Sequence, residues 1–155
     1  MKLKASVLIL GVLVNTVLAG SAAEALNLAT HELVNLAAVE NPTLNTFLQT
    51  HLGFSRGVQE VLNQKPLSRW IAEGGIREDD GFRFFRHFHD PLQPWDSAGL
   101  RFLGQYDSSI YWMQRTDHDW SWQKARTYFF NALTSSNKDS RDQGIADTFR
   151  ALGQV

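Results

Sequence analysis

The sequence predicts an all-α protein. Apolar residues recur at three- and four-residue intervals along most of the chain, and no run alternates with period two over more than a few residues. Helix punctuation falls between the periodic stretches, with Pro42 and Pro66 at expected starts or stops and Gly53 and Gly74–Gly75 at expected ends.

The first 25 residues stand apart from that pattern. Lys2 and Lys4 precede an apolar run from Val7 to Leu18, and small residues follow, which is the three-part layout of a secretory signal peptide. The run is shorter than the about 20 residues that a membrane span needs. Cleavage is expected after Ala19, Ala22 or Ala25, and Ala23-Glu24-Ala25 fits the A-x-A preference. The alternative is an uncleaved N-terminal anchor. The expected organisation is a signal peptide over residues 1–25 and one helical domain over 26–155. The protein is then secreted or periplasmic, with no transmembrane segment after signal removal.

The helices follow in order. Thr30 is an expected N-cap for a helix through "HELVNLAAVE", with Leu33, Leu36 and Ala37 on one side and Pro42 ending it. "TLNTFLQTHLGF" spaces Leu44, Phe47, Leu48 and Leu52 as a second helix. Ser55 is positioned to cap a short helix with Val58, Val61 and Leu62, and "KPLSRWIAEGG" reads as a helix from Pro66 to the paired glycines. From Gly75 to about Asp117 periodicity fails, apart from one short helix expected at Ser109 to Gln114; a stretch of that length in a compact domain is usually functional or else wrongly assigned as loop. Ser121 then caps a helix with Trp122, Ala125, Phe129, Ala132 and Leu133 as its apolar stripe. Asp139 caps a last one, with Ile145, Phe149 and Leu152 at i, i+4 and i+7. No internal repeat or low-complexity segment is found.

Composition bounds the function. The chain has 155 residues, a net charge of −1, 12 % aromatic residues and no cysteine. Near-neutral charge argues against a nucleic-acid-coating surface or a polyacidic tail. A secreted chain of this size without disulfides is held by its core, by a partner or by metal.

Polar residues capable of chemistry concentrate in "GGIREDDGFRFFRHFHDP". His87 and His89 point the same way if the segment is extended, and diverge by about 160° if it is helical. Two imidazoles with nearby carboxylates suit a metal, yet the acidic run Glu78-Asp79-Asp80 equally suits a cap for the next segment. His51 and His118 read as structural histidines.

"THE" at Thr30 to Glu32, "GGIRED" at Gly74 to Asp79 and "RHFHDP" at Arg86 to Pro91, in that order, resemble the bacterial zinc-dependent phospholipase C family, which shares its all-helical fold with fungal single-strand-specific nucleases. "WSWQKARTYFFNALTSSNKDSRDQGIADTFRALGQV" is similar to the stretch that leads into that family's central zinc-binding helix. The resemblance implies a secreted zinc-dependent phosphodiester hydrolase. His31 matches the ligand of one zinc. Asp79, or Asp80 if the register slips by one, matches a ligand of another zinc and the base that activates water. His87 matches a second ligand of that zinc, and His89 falls where relatives often carry Tyr. Up to three zinc ions are implied, with phospholipid or another phosphodiester as substrate and nucleic acid as an alternative substrate. No Trp precedes Trp70, so the N-terminal Trp of some members has no counterpart. The family's further His, Asp and Glu ligands come after the stretch matched by "FRALGQV". The resemblance therefore implies the N-terminal portion of such an enzyme, apparently truncated and inactive as an isolated chain. The competing expectation is a non-enzymatic secreted helical domain that binds through an aromatic surface formed by Trp95, Trp112, Trp120 and Trp122.

Overall fold

A computed structural model describes residues 28–81, 83–101 and 104–155; the expected signal peptide lies outside the described residues. The described chain is mostly helical. Its helices are α1 (Leu28–Val39), α2 (Pro42–His51), α3 (Leu67–Arg77), α4 (Ser109–Trp112), α5 (Trp122–Thr134) and α6 (Lys138–Gln154), with 3-10 turns at Gly57–Gln59 and Arg83–Arg86.

Local chemistry sets most of the starts. Asn41 accepts a hydrogen bond from the Thr43 amide at 2.9 Å, and Pro42 occupies the first helical position, where its missing N–H costs nothing. Ser108 caps α4 through Tyr111 N, and Ser121 caps α5 through Lys124 N. The cap of α6 is Asn137, which accepts from Ser140 N at 2.9 Å. Asp139, the expected cap, sits in the first turn instead, where its charge favours the helix dipole. Thr30 is likewise inside α1, which begins at Leu28.

The segment expected as a helix from Ser55 is a 3-10 turn followed by a two-stranded antiparallel hairpin, β1 (Val61–Leu62) and β2 (Lys65–Pro66). Asn63 and Gln64 take φ of +48° and +67° between the strands, the two-residue turn geometry that matches strand twist. Trp70 Nε1 donates to Leu62 O at 3.0 Å and ties the hairpin to α3.

Helix α3 is the centre of the packing. It lies between α1 and α6, and α6 in turn packs on α5. The core gathers Val39, Leu48, Leu62, Leu67, Trp70, Ile71, Ile145 and Phe149. Gly74 and Gly75, expected to end α3, lie within it. Both are contact points: a Cβ on Gly74 would stand 2.2 Å from Arg150 O, and one on Gly75 2.5 Å from Asn35 Nδ2 and 2.9 Å from His31 O. The helix runs through its glycines because neighbouring backbones occupy the space a side chain would need.

The faces of α1 and α5 differ from expectation. On α1, Leu33 and Ala37 are exposed and Val39 is buried, with Leu36 packed against the core. On α5, Ala125 and Ala132 are buried, whereas Trp122 and Leu133 are exposed. Phe149 and Ile145 of α6 are buried as expected, and Leu152 is exposed. Among the described residues no helix is long and apolar enough to cross a membrane.

Candidate metal centre

Three segments meet at one polar point. His31 comes from the first turns of α1. Asp79 lies two residues beyond the end of α3. His87 follows the 3-10 turn Arg83–Arg86, which folds the chain back toward α3. His31, Asp79 and His87 each offer one ligand atom such that all lie within 4.8 Å of one another, close enough to share a metal ion.

Asp79 stands between the imidazoles, with Oδ2 3.4 Å from His31 Nε2 and Oδ1 3.5 Å from His87 Nε2. The two rings are 5.5 Å apart, edge to face. His31 Nε2, His87 Nε2 and Asp79 Oδ1 are all buried and lack a hydrogen-bond partner. Buried polar atoms normally find partners, so three orphans converging on one point fit a cation between them. Two imidazole nitrogens and a carboxylate oxygen are also a donor set that zinc accepts in tetrahedral sites with an open position.

The carboxylate run resolves into three separate roles. Asp79 joins the cluster. Asp80 turns to Arg77 Nη1 at 3.4 Å and is exposed, so it does not share the cluster. Glu78, which sequence reasoning missed as a site residue, faces it: Oε1 lies 3.4 Å from His87 Nε2 while Arg83 Nη2 holds Oε2 at 3.0 Å. Glu78 beside it, and more weakly Asp79, hold the His87 pKa above the usual imidazole value against the opposing effect of burial. The only sequence signal for Glu78 was its place at the head of an acidic run, which a solvated cap shares.

The other histidines are elsewhere. His89 has a buried, unpartnered Nδ1 but does not join the cluster. His51 rests on Phe47, with ring centroids 5.0 Å apart. His118 stacks on Trp112 at 4.0 Å with planes 5° apart, and its Nε2 is 2.8 Å from Trp112 O. The Arg86 guanidinium also lies over Trp112, 4.1 Å from the ring centroid. Asp107 pairs with both Arg86 and Arg115. This knot fastens the residue next to His87 to the loop that carries α4.

Burial holds the His118 pKa below the ordinary value; Arg83 and Arg115 add to this, and the bond to Trp112 O and the charge of Asp117 oppose it. The unfolded chain titrates this imidazole near pH 6.5. His118 therefore contributes stability that is full above about pH 6.5 and is lost as pH falls through its lower folded value. His118→Phe, which keeps the stack and removes the titration, is expected to flatten that part of the pH–stability curve below about pH 6.5. Urea denaturation of both forms from neutral to mildly acidic pH checks it.

Comparison of the chain with protein-family models, with curated proteins and with solved structures finds no match in any of the three.

Proposed function

We propose that the chain contributes zinc ligands of a zinc-dependent phosphodiester hydrolase of the phospholipase C type, exported by its N-terminal signal. The observation that carries the reading is the convergence of His31, Asp79 and His87, from three separate segments, with unpartnered buried atoms facing one another. Zinc there would act as a Lewis acid on a phosphoryl oxygen and lower the pKa of water.

The chain's own residues then have definable tasks. His31 and His87 would hold the ion through imidazole nitrogens. The resemblance assigns Asp79 to the proton of the attacking water; its two oxygens reach toward the two imidazoles. Glu78, fixed by Arg83, keeps a second acceptor beside His87. In the overall reaction water adds to phosphorus, the P–O bond to the leaving alcohol breaks, and the leaving oxygen takes up a proton. Phospholipid is the preferred substrate class, because the resemblance is closer to the phospholipase C branch, with nucleic acid as the alternative.

The test is hydrolysis of bis(p-nitrophenyl) phosphate and of phosphatidylcholine vesicles by the chain after dialysis, with zinc restored. Turnover that returns with zinc, is abolished by 1,10-phenanthroline and is lost in Asp79→Asn supports the reading. Zinc retained after dialysis and lost in His87→Ala and Asp79→Ala supports the reading whether or not turnover is seen, and the absence of retained zinc overturns it. The second reading, a non-enzymatic aromatic binding surface, is favoured by the exposure of Trp95 (51 %) and Trp122 (44 %). Vesicle binding that ignores chelator and falls in Trp95→Ala would support that reading instead.

A further inference from the structure

Helix α1 packs along α3, with few deeply buried apolar side chains in the contact. Val39, at its last residue, is its buried side chain; Leu28, Leu33 and Val34 are exposed. Near His31 the apolar anchoring is therefore small. Glu32 reaches Arg69 at 2.9 Å, but the arginine is half exposed, and such pairs contribute little.

The strong contact in this region is polar. Asn35 lies one turn after His31, on the same face of α1. Its Nδ2 donates to Ile71 O of α3 at 3.0 Å and to Gly153 O of α6 at 2.7 Å. One amide group thus joins three helices. The glycines make this approach feasible. A Cβ on Gly75 would strike Asn35 Nδ2 and His31 O, and a Cβ on Gly153 would stand 2.1 Å from Ile71 O.

We infer that Asn35 is a positioning residue for the metal centre: it fixes the rotation and height of α1 so that His31 faces Asp79 and His87. The inference rests on the metal reading above for its functional meaning, but its geometric content stands apart from it. Asn35 touches none of the ligand atoms itself, so its effect must pass through His31. Loss of a group that orients a metal ligand typically lowers affinity 10- to 100-fold.

The experiment replaces Asn35 by Leu, which keeps the bulk and removes both donated bonds, and reads two quantities in variants shown folded by circular dichroism. The first is Co²⁺ affinity from its visible absorption, in wild type, Asn35→Leu, His31→Ala and the double variant. We expect Asn35→Leu to weaken binding about tenfold or more. We also expect it to have no further effect once His31 is gone, the non-additivity of groups acting in series. The second is the nuclear Overhauser contact between the His31 and His87 rings in metal-free protein, expected in wild type and lost in Asn35→Leu.

Unchanged affinity with the ring contact intact overturns the inference, as does an equal loss in the His31→Ala background, which marks a merely structural role. If wild type binds no Co²⁺, the metal reading fails and the ring contact alone decides the role of Asn35. Should Asn35→Leu not fold, Asn35→Ala, which removes the donor without adding bulk, is read by the same two measurements.

Discussion

Replacing His87 by alanine is expected to weaken zinc binding by on the order of 100-fold, and Asp79→Ala by a similar factor. A structural zinc site binds with about 10–16 kcal/mol shared over four ligands. One ligand is thus worth about 3 kcal/mol, or roughly two decades in Kd. Among the described residues, His31, Asp79 and His87 supply ligand atoms within 4.8 Å of one another, and the nearby Glu78 is held by Arg83. Asp80→Ala is the internal control, because Asp80 turns to Arg77 rather than to the cluster. Competition titration against a chromophoric zinc chelator, with circular dichroism to confirm folding, measures all three. Equal zinc affinity in wild type and His87→Ala would remove the metal centre.

The second large effect is expected at the helix crossing. Gly74→Ala should cost about 3 kcal/mol, even though alanine is the better helix former by about 1 kcal/mol. The added methyl would stand 2.2 Å from Arg150 O and 2.8 Å from the Gly153 Cα. These are backbone atoms of α6, which cannot rotate aside as a side chain would. The helices must separate, and Ile71, Ala151 and Phe149, all buried, lose contact with them. Gly153→Ala is expected to match it, because its Cβ would stand 2.1 Å from Ile71 O of α3. The urea midpoint should fall while the m-value stays unchanged. A midpoint at or above that of wild type would show that α3 and α6 are not in backbone contact.

The helices were the most legible part of the sequence. Ser121 marks a helix start that the structure shares, because its hydroxyl acceptor acts within one turn; Pro42, read as ending the first helix, also opens the next. Features that depend on distant neighbours were illegible. Gly74 and Gly75 carry the composition of a helix stop, and only the approach of α6 and α1 shows why α3 continues through them. The hairpin at Val61 to Pro66 turns on Asn63 and Gln64, neither of them glycine, so the sequence lacked the usual turn signal. At the candidate site, His31, Asp79 and His87 were named through a family resemblance that put His31 on one zinc and Asp79 and His87 on another; the fold instead brings all three within reach of a single ion. Glu78 was missed because its orientation depends on Arg83, whose ion pair is formed by the return of the chain through the 3-10 turn.

The separation of the site residues along the chain has a consequence for how the molecule assembles. His31 belongs to α1, whereas Asp79 and His87 lie beyond α3. The ligand atoms cannot meet until α1 has docked on α3, a contact between remote segments that carries a larger loop-closure cost than forming either helix. A metal ion captured at this point would therefore act late in folding. It would hold the native arrangement against unfolding more than it would hasten the search for it.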